Sequence, residues 1–218
     1  MKLKKLVALV SSAILAFSLV GCSIEGEENG ASSDGSLVGN GSIGFSVSTL
    51  NNPFFVTLSQ GAKDKAKEEG RDLIVVDAGD DAAKQTSDIE DLISKNISVL
   101  IVNPVDSDAV APAVKDAIAK GIKVISLDRA VNGVDVDCSI ASDNVEGARM
   151  ATEYLVSLVG KDAKVVELEG TSGSSATIDR GAGFHKIADD QLNVVSSQTA
   201  NFNRSEGMTV MENMLQSN

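Results

Sequence analysis

The sequence predicts an α/β fold in which a parallel sheet carries helices on both faces. Short β-branched runs at Ile43 to Val47, Leu73 to Val76, Val99 to Val102, Val124 to Leu127, Lys164 to Leu168 and Asn193 to Val195 start about 25 to 30 residues apart, save for about 40 between the fourth and fifth. Between them apolar residues fall at helical spacing, as in Ile89, Leu92 and Ile93, and again in Val110, Ala113, Val114, Ala117 and Ile118. A helix between successive strands imposes right-handed crossovers and hence parallel pairing. With 218 residues, 43% of them hydrophobic, the chain can bury a substantial core.

Taken in order, the chain opens with Lys2, Lys4 and Lys5 ahead of an uncharged, mostly apolar run from Leu6 to Val20. That run is short for a membrane-spanning helix and reads as a secretion signal over residues 1–21. It ends Leu19-Val20-Gly21-Cys22, which resembles the bacterial lipobox, so Cys22 is expected to be the lipidated N-terminus of the mature protein. The other reading is an ordinary signal peptide with Cys22 incidental. Residues 22–40 are Gly, Ser, Asn and acid and read as a flexible tether.

Four strand-helix units then follow. The irregular piece is 134–144, where Cys138-Ser139-Ile140-Ala141 runs into Ser142-Asp143-Asn144 and a new helix pattern carrying Val145, Ala148, Leu155 and Leu158, closed by Gly160. A change of domain is expected near Ser142, giving units 41–142 and 143–218. The last helix opens at an Asn203…Glu206 capping pair and places Met208, Met211 and Leu215 on one face.

Charge narrows the function classes. Without residues 1–21, which hold three Lys and no acid, 16 basic and 31 acidic residues remain. No basic run follows Lys5, which argues against nucleic acid and favours a neutral or cationic ligand. Cys138 is left without a partner once Cys22 is lipidated, and the single His185 and two Cys offer no metal-ligand spacing. No cofactor is expected.

Ligands of open parallel sheets bind beyond the carboxyl ends of strands. After the first strand come Ser48, Asn52, Phe54 and Phe55, adjacent aromatics in an expected loop beside hydroxyl and amide groups. Rings that stack on C–H faces, with polar neighbours for hydroxyls, suit a sugar; the alternative is that Phe54 and Phe55 open the next helix and pack inward. Asp128 and Arg129 can clamp vicinal hydroxyls, one accepting and one donating, or can form a plain surface ion pair. The stretch from Asn103 to Asp108 reads as a turn and helix cap. Further strand ends lead to Gly170–Ser175, expected to be a turn with hinge-like freedom, to Arg180, and to Asn201-Phe202-Asn203-Arg204.

Two apparent motifs fail. Gly39-Asn40-Gly41-Ser42-Ile43-Gly44 matches a dinucleotide string but precedes its strand instead of following it. His185 has no nearby nucleophile signature and is expected on a helix surface, and no catalytic constellation is visible, so no enzyme is expected.

Val47-Ser48-Thr49-Leu50-Asn51-Asn52-Pro53-Phe54-Phe55, Asn103-Pro104-Val105-Asp106-Ser107-Asp108-Ala109-Val110, Leu127-Asp128-Arg129, Ile140-Ala141-Ser142-Asp143-Asn144, Asp179-Arg180-Gly181-Ala182-Gly183-Phe184 and Ala200-Asn201-Phe202-Asn203-Arg204 together resemble the ribose-binding proteins of bacterial ABC sugar importers. The resemblance covers about residues 42–216. It implies a two-lobed fold that hinges shut on one monosaccharide, most readily D-ribose, with 41–142 the first lobe and 143–218 part of the second. Ligand positions fall on Ser48, Asn52, Phe54, Phe55, Asp128 and Arg129 in the first lobe and on Arg180 and Phe202 in the second, with Phe54 and Phe202 facing the sugar from opposite sides. It implies permease and ATPase partners, a monomeric, extracytoplasmic receptor held to the cell membrane through Cys22, and no nucleic acid. Allose, galactose, a quorum signal or a chemotactic role fit the same pattern. A repressor of this fold requires an N-terminal helix-turn-helix, where this chain has a signal pattern. Family members run further, so the second lobe is expected to be incomplete, poorly stable and marked by uncovered apolar helix faces, or to bind nothing.

Overall fold

The computed structural model describes residues 41–218. The expected signal at 1–21, the lipidation site Cys22 and the tether at 22–40 lie outside the described residues.

Thirteen elements follow one another: β1 (Ile43–Val47), α1 (Pro53–Glu68), β2 (Leu73–Asp77), α2 (Ala82–Ser94), β3 (Val99–Val102), α3 (Ala111–Ala119), β4 (Lys123–Leu127), β5 (Cys138–Ile140), α4 (Asn144–Val159), β6 (Ala163–Glu169), α5 (Ser175–Gln191), β7 (Leu192–Thr199) and α6 (Arg204–Ser217). The first five strands form one sheet in the order β2-β1-β3-β4-β5, and β6 pairs with β7 in a second. Every pairing is parallel.

Alternation along the strands fills both faces of the larger sheet. Leu100, Val102 and Val124 join Ile89, Leu92, Ile93, Val114 and Ala117 of α2 and α3 in one core. Phe45 and Val47 point the other way and meet Phe55, with Leu58 and Ala62 of α1 and with Ile101 and Leu127 packed against them. Gly44 lies on the α2 side, where an added Cβ would come within 2.8 Å of the Ile97 side chain, so the helix closes onto bare backbone. Helix starts carry side-chain caps: Asn52 for α1 with Pro53 behind it, Asp81 for α2, Asp143 for α4, Ser174 for α5 and Asn203 for α6.

The smaller sheet is less covered. Apart from Phe54 and Val56, the large apolar side chains left exposed among the described residues all lie from Ile140 onward, including Met150, Tyr154, Leu158 and Ile178. Helices α4 and α5 pack on each other, and a cavity of about 760 Å³ opens between them and the end of β6.

On helix α6 the face that carries Met208, Met211 and Leu215 is not the one turned to the sheet. Met208 and Leu215 are 67% and 68% exposed, whereas Met214 is 1% exposed with Val210 and Met211 half-buried beside it. The helix is rotated relative to the face that Met208, Met211 and Leu215 define, because Gly207, Val210, Met211 and Met214 make the stripe nearest the sheet. Its capping pair is also only half formed: Asn203 accepts from Ser205 and Glu206 N–H, but the Glu206 carboxylate turns to the Asn201 amide.

Candidate functional site

The order β2-β1-β3 reverses the direction of winding at β1, and the crevice beyond β1 and β3 is the place where open parallel sheets admit ligands. Its floor is built by Asn103. That side chain, fully buried, accepts from the Ser48 hydroxyl at 2.7 Å and the Ser48 N–H at 3.2 Å, and donates to the Leu127 carbonyl at 3.0 Å. The tips of β1, β3 and β4 are thereby tied together. Ser48 is itself 0% exposed and lines no cavity, so the structure places it behind the crevice wall.

Phe54 and Phe55 stand on the first turn of α1, not in a loop. The Asn52 side chain accepts from Phe54 N–H and starts the helix there. Helix phase then separates the two rings: Phe55 is 3% exposed and Phe54 is 54% exposed, with centroids 5.2 Å apart edge to face.

Arg129 is the centre of the arrangement. Its guanidinium lies 5.1 Å from the Phe55 ring centre and 5.5 Å from that of Phe202, so it bridges rings supplied by the two halves of the protein. It donates to the Pro104 carbonyl at 2.8 Å, while its buried Nε has no hydrogen-bond partner. The Asp128 carboxylate sits 3.9 Å from that Nε. Burial pushes Asp128 up from the usual carboxylate range, against the pull of Arg129, Arg180 and the Asn103 amide. Burial likewise lowers Arg129, and Asp128 and Asp80 offset part of that. Arg180 lies 5.7 Å from the Phe202 ring and donates through Nε to Asn144 at 2.8 Å.

Seven of the eight expected residues therefore form one contiguous group, with Asn52 reaching the Phe202 carbonyl at 3.4 Å. Asn52, Phe55, Arg129 and Phe202 line a cavity of about 260 Å³, and Arg180 with Phe202 lines the larger one. Phe202 thus separates the two cavities, while Phe54 and Asp128 stand outside both.

Sequence reasoning passed over three residues. Turn chemistry, expected for the stretch from Asn103 to Asp108, holds for Asp106, whose carboxylate accepts from Asp108 and Ala109 N–H, but not for the buried Asn103 amide. Asp80 and Thr49 line the smaller cavity, and partial burial raises the Asp80 carboxyl against the Thr49 hydroxyl and Arg129. Asp80 and Asp128 both have left-handed backbone, φ 64° and 68°, in loops after strands, a strain that local composition does not signal.

A hydrogen-bonded seam closes one side of the crevice. Ser175 N–H donates to the Ser107 hydroxyl at 3.0 Å, Ala130 N–H donates to the Ser175 hydroxyl at 2.8 Å, and Ser107 N–H donates to the Gly173 carbonyl at 2.9 Å. His185 lies on α5, as its position suggested, 2.8 Å from Asp189 and 3.3 Å from Glu167. Among the described residues Cys138 is exposed and unpaired, and no group of acids, His and Cys could hold a metal ion.

Residues 43–218 match the family model described as periplasmic binding protein domain. The chain is 47% identical over 214 residues to the ribose import binding protein RbsB of Bacillus subtilis, covering 98% of this chain and 70% of that protein. It is 41% identical to the RbsB of Escherichia coli, covering 99% and 68%. Among solved structures, a Caulobacter myo-inositol binding protein bound to myo-inositol superposes with TM-score 0.77 at 33% identity, covering 82% of this chain and 62% of that one. An Actinobacillus succinogenes ABC transporter periplasmic solute binding protein with bound D-allose gives TM-score 0.71 at 30% identity, with coverages of 82% and 65%. The chain spans about two thirds of the length of these relatives.

Proposed function

The chain belongs to the periplasmic binding protein domain family, and from that premise we propose that it is the substrate-binding component of an ABC importer, closing on a monosaccharide that is most readily D-ribose. The observation that carries this reading is Arg129: a buried guanidinium between the rings of Phe55 and Phe202, beside Asp128 and with an Nε that no group among the described residues satisfies. A buried donor without a partner costs free energy that a ligand oxygen recovers. Sugar hydroxyls supply such oxygens, and they donate in turn to the Asp128 carboxylate. Relatives named for ribose import favour that sugar.

Binding in this scheme involves no bond-making step. Aromatic faces of Phe55 and Phe202, which line the smaller cavity, take the C–H surface of the sugar, Arg180 and Asn52 donate to it, and the Ser107–Ser175 seam holds the halves together while the sugar is enclosed. Delivery to a permease and its ATPase, monomeric state, and anchoring outside the cytoplasm by lipid on Cys22 complete the proposal. Support for the last comes from the Lys-led apolar run ending at Gly21-Cys22; among the described residues no helix is long and apolar enough to cross a membrane.

A second reading, favoured by the solved structures holding myo-inositol and D-allose, is a receptor for another polyhydroxylated ring. Titration calorimetry of the protein with ribose, allose, galactose and myo-inositol separates the two. Ribose is expected to give the tightest binding; preference for another ring moves the protein to the second reading, and no heat with any of them removes both.

A further inference from the structure

We infer that Gly170 is a positioning residue: the bare backbone at the end of β6 is the seat into which the Phe202 ring fits, and the missing side chain fixes where that ring stands. The inference rests on the site proposed above and deepens it.

Glycine at 170 is not there for conformational freedom. Gly70, Gly79, Gly121, Gly133, Gly160 and Gly173 adopt the left-handed backbone that glycine favours, and Gly170 does not. Its φ does not call for glycine. What excludes a side chain is the ring: a Cβ built on Gly170 would lie 2.0 Å from Phe202 Cζ and 2.4 Å from both Cε atoms. Real contacts of this kind stand about 3.5 Å or more apart, so the ring or the strand must move by more than 1 Å.

The turn that carries the ring is held in place, so the displacement falls on the Phe202 side chain. Asn201 and Phe202 are consecutive left-handed residues, φ 52° and 53°, a pair of unfavourable conformations that only surrounding bonds can maintain. Those bonds lead back to Gly170 itself. The Thr199 hydroxyl donates to the Gly170 carbonyl at 2.7 Å and accepts from Asn201 N–H at 3.2 Å. Thr171 donates through its hydroxyl to the Asn201 carbonyl at 3.2 Å, and Ala200 N–H donates to the Glu169 carbonyl at 2.8 Å. The turn that carries Phe202 is laced to the same strand end on which its ring rests, and from that seat the ring stacks on Arg129 and Arg180.

A double-mutant cycle of Gly170→Ala and Phe202→Ala tests this, read by ribose titration and by thermal midpoint. Gly170→Ala is expected to weaken ribose binding roughly tenfold, the scale of a lost aromatic contact, and to lower the midpoint. In the Phe202→Ala background the same change is expected to alter neither, because no ring remains to be displaced. An equal effect in both backgrounds, or none in the parent, overturns the inference. If the parent protein takes up no sugar, the functional reading falls by that result alone and the midpoint cycle still decides whether Gly170 seats the ring.

Discussion

Replacing Asn103 by Ala removes the junction on which the crevice is built. Three hydrogen bonds are lost, from Ser48 Oγ, from Ser48 N and to the Leu127 carbonyl. At about 1 kcal/mol each, with an added cost for donors left unpaired where Ser48 is wholly buried, the expected destabilisation is roughly 3 to 5 kcal/mol. Against a typical total of about 5 to 15 kcal/mol this is a large fraction. For a protein of this size it corresponds to a fall in thermal midpoint of roughly 6 to 20 °C. Urea unfolding followed by circular dichroism gives the free energy directly, and the double variant with Ser48→Ala gives the coupling, expected at about 1 to 2 kcal/mol. A loss below about 1 kcal/mol, or strictly additive single effects, would refute the view that Asn103 ties the strand tips together.

Arg129→Met keeps much of the side-chain volume but removes the buried charge. Ribose affinity is expected to fall about tenfold to a hundredfold, the scale of a charge-assisted hydrogen bond; unaltered calorimetric affinity would place the ligand elsewhere. On α6, Met214→Ala is expected to cost about 2 to 5 kcal/mol and Leu215→Ala under about 0.5 kcal/mol in denaturant unfolding, and the reverse order would restore the face expected from Met208, Met211 and Leu215. His185 is raised from its ordinary value of 6.5, chiefly by its hydrogen bond to Asp189, so its contribution is complete below that value and is lost as pH rises through the folded pKa. Thermal midpoints of His185→Gln measured from pH 5.5 to 8.5 should lack that part of the decline, and an identical decline in the variant would show that another group is responsible.

The strands and the start of the last helix were legible because the signals are local. Runs such as Val99 to Val102 need only a period of two and a buried neighbour, and Asn203 caps a helix within three residues of itself. The strand-end rule also points to Ser48, Asn52, Phe54, Phe55, Asp128, Arg129 and Phe202, all but Ser48 of which the structure brings into one contiguous group. It could not tell Phe54 from Phe55, since adjacent helical positions differ by about 100° and only packing on Phe45 and Val47 decides which turns inward. The same indeterminacy of phase left the buried stripe of α6 unread.

Local sequence by itself determined that this chain makes parallel strand-helix units and that aromatic and charged groups gather at their ends, because propensity, capping and periodicity act over a few residues. Tertiary structure alone decided that Asn103 serves as a buried tie, that Arg129 is held between rings from two sheets, and that Gly170 leaves room for Phe202. Each of those facts depends on a partner about 30 or more positions away, and neither spacing nor composition encodes a contact that exists only once the strands stand side by side.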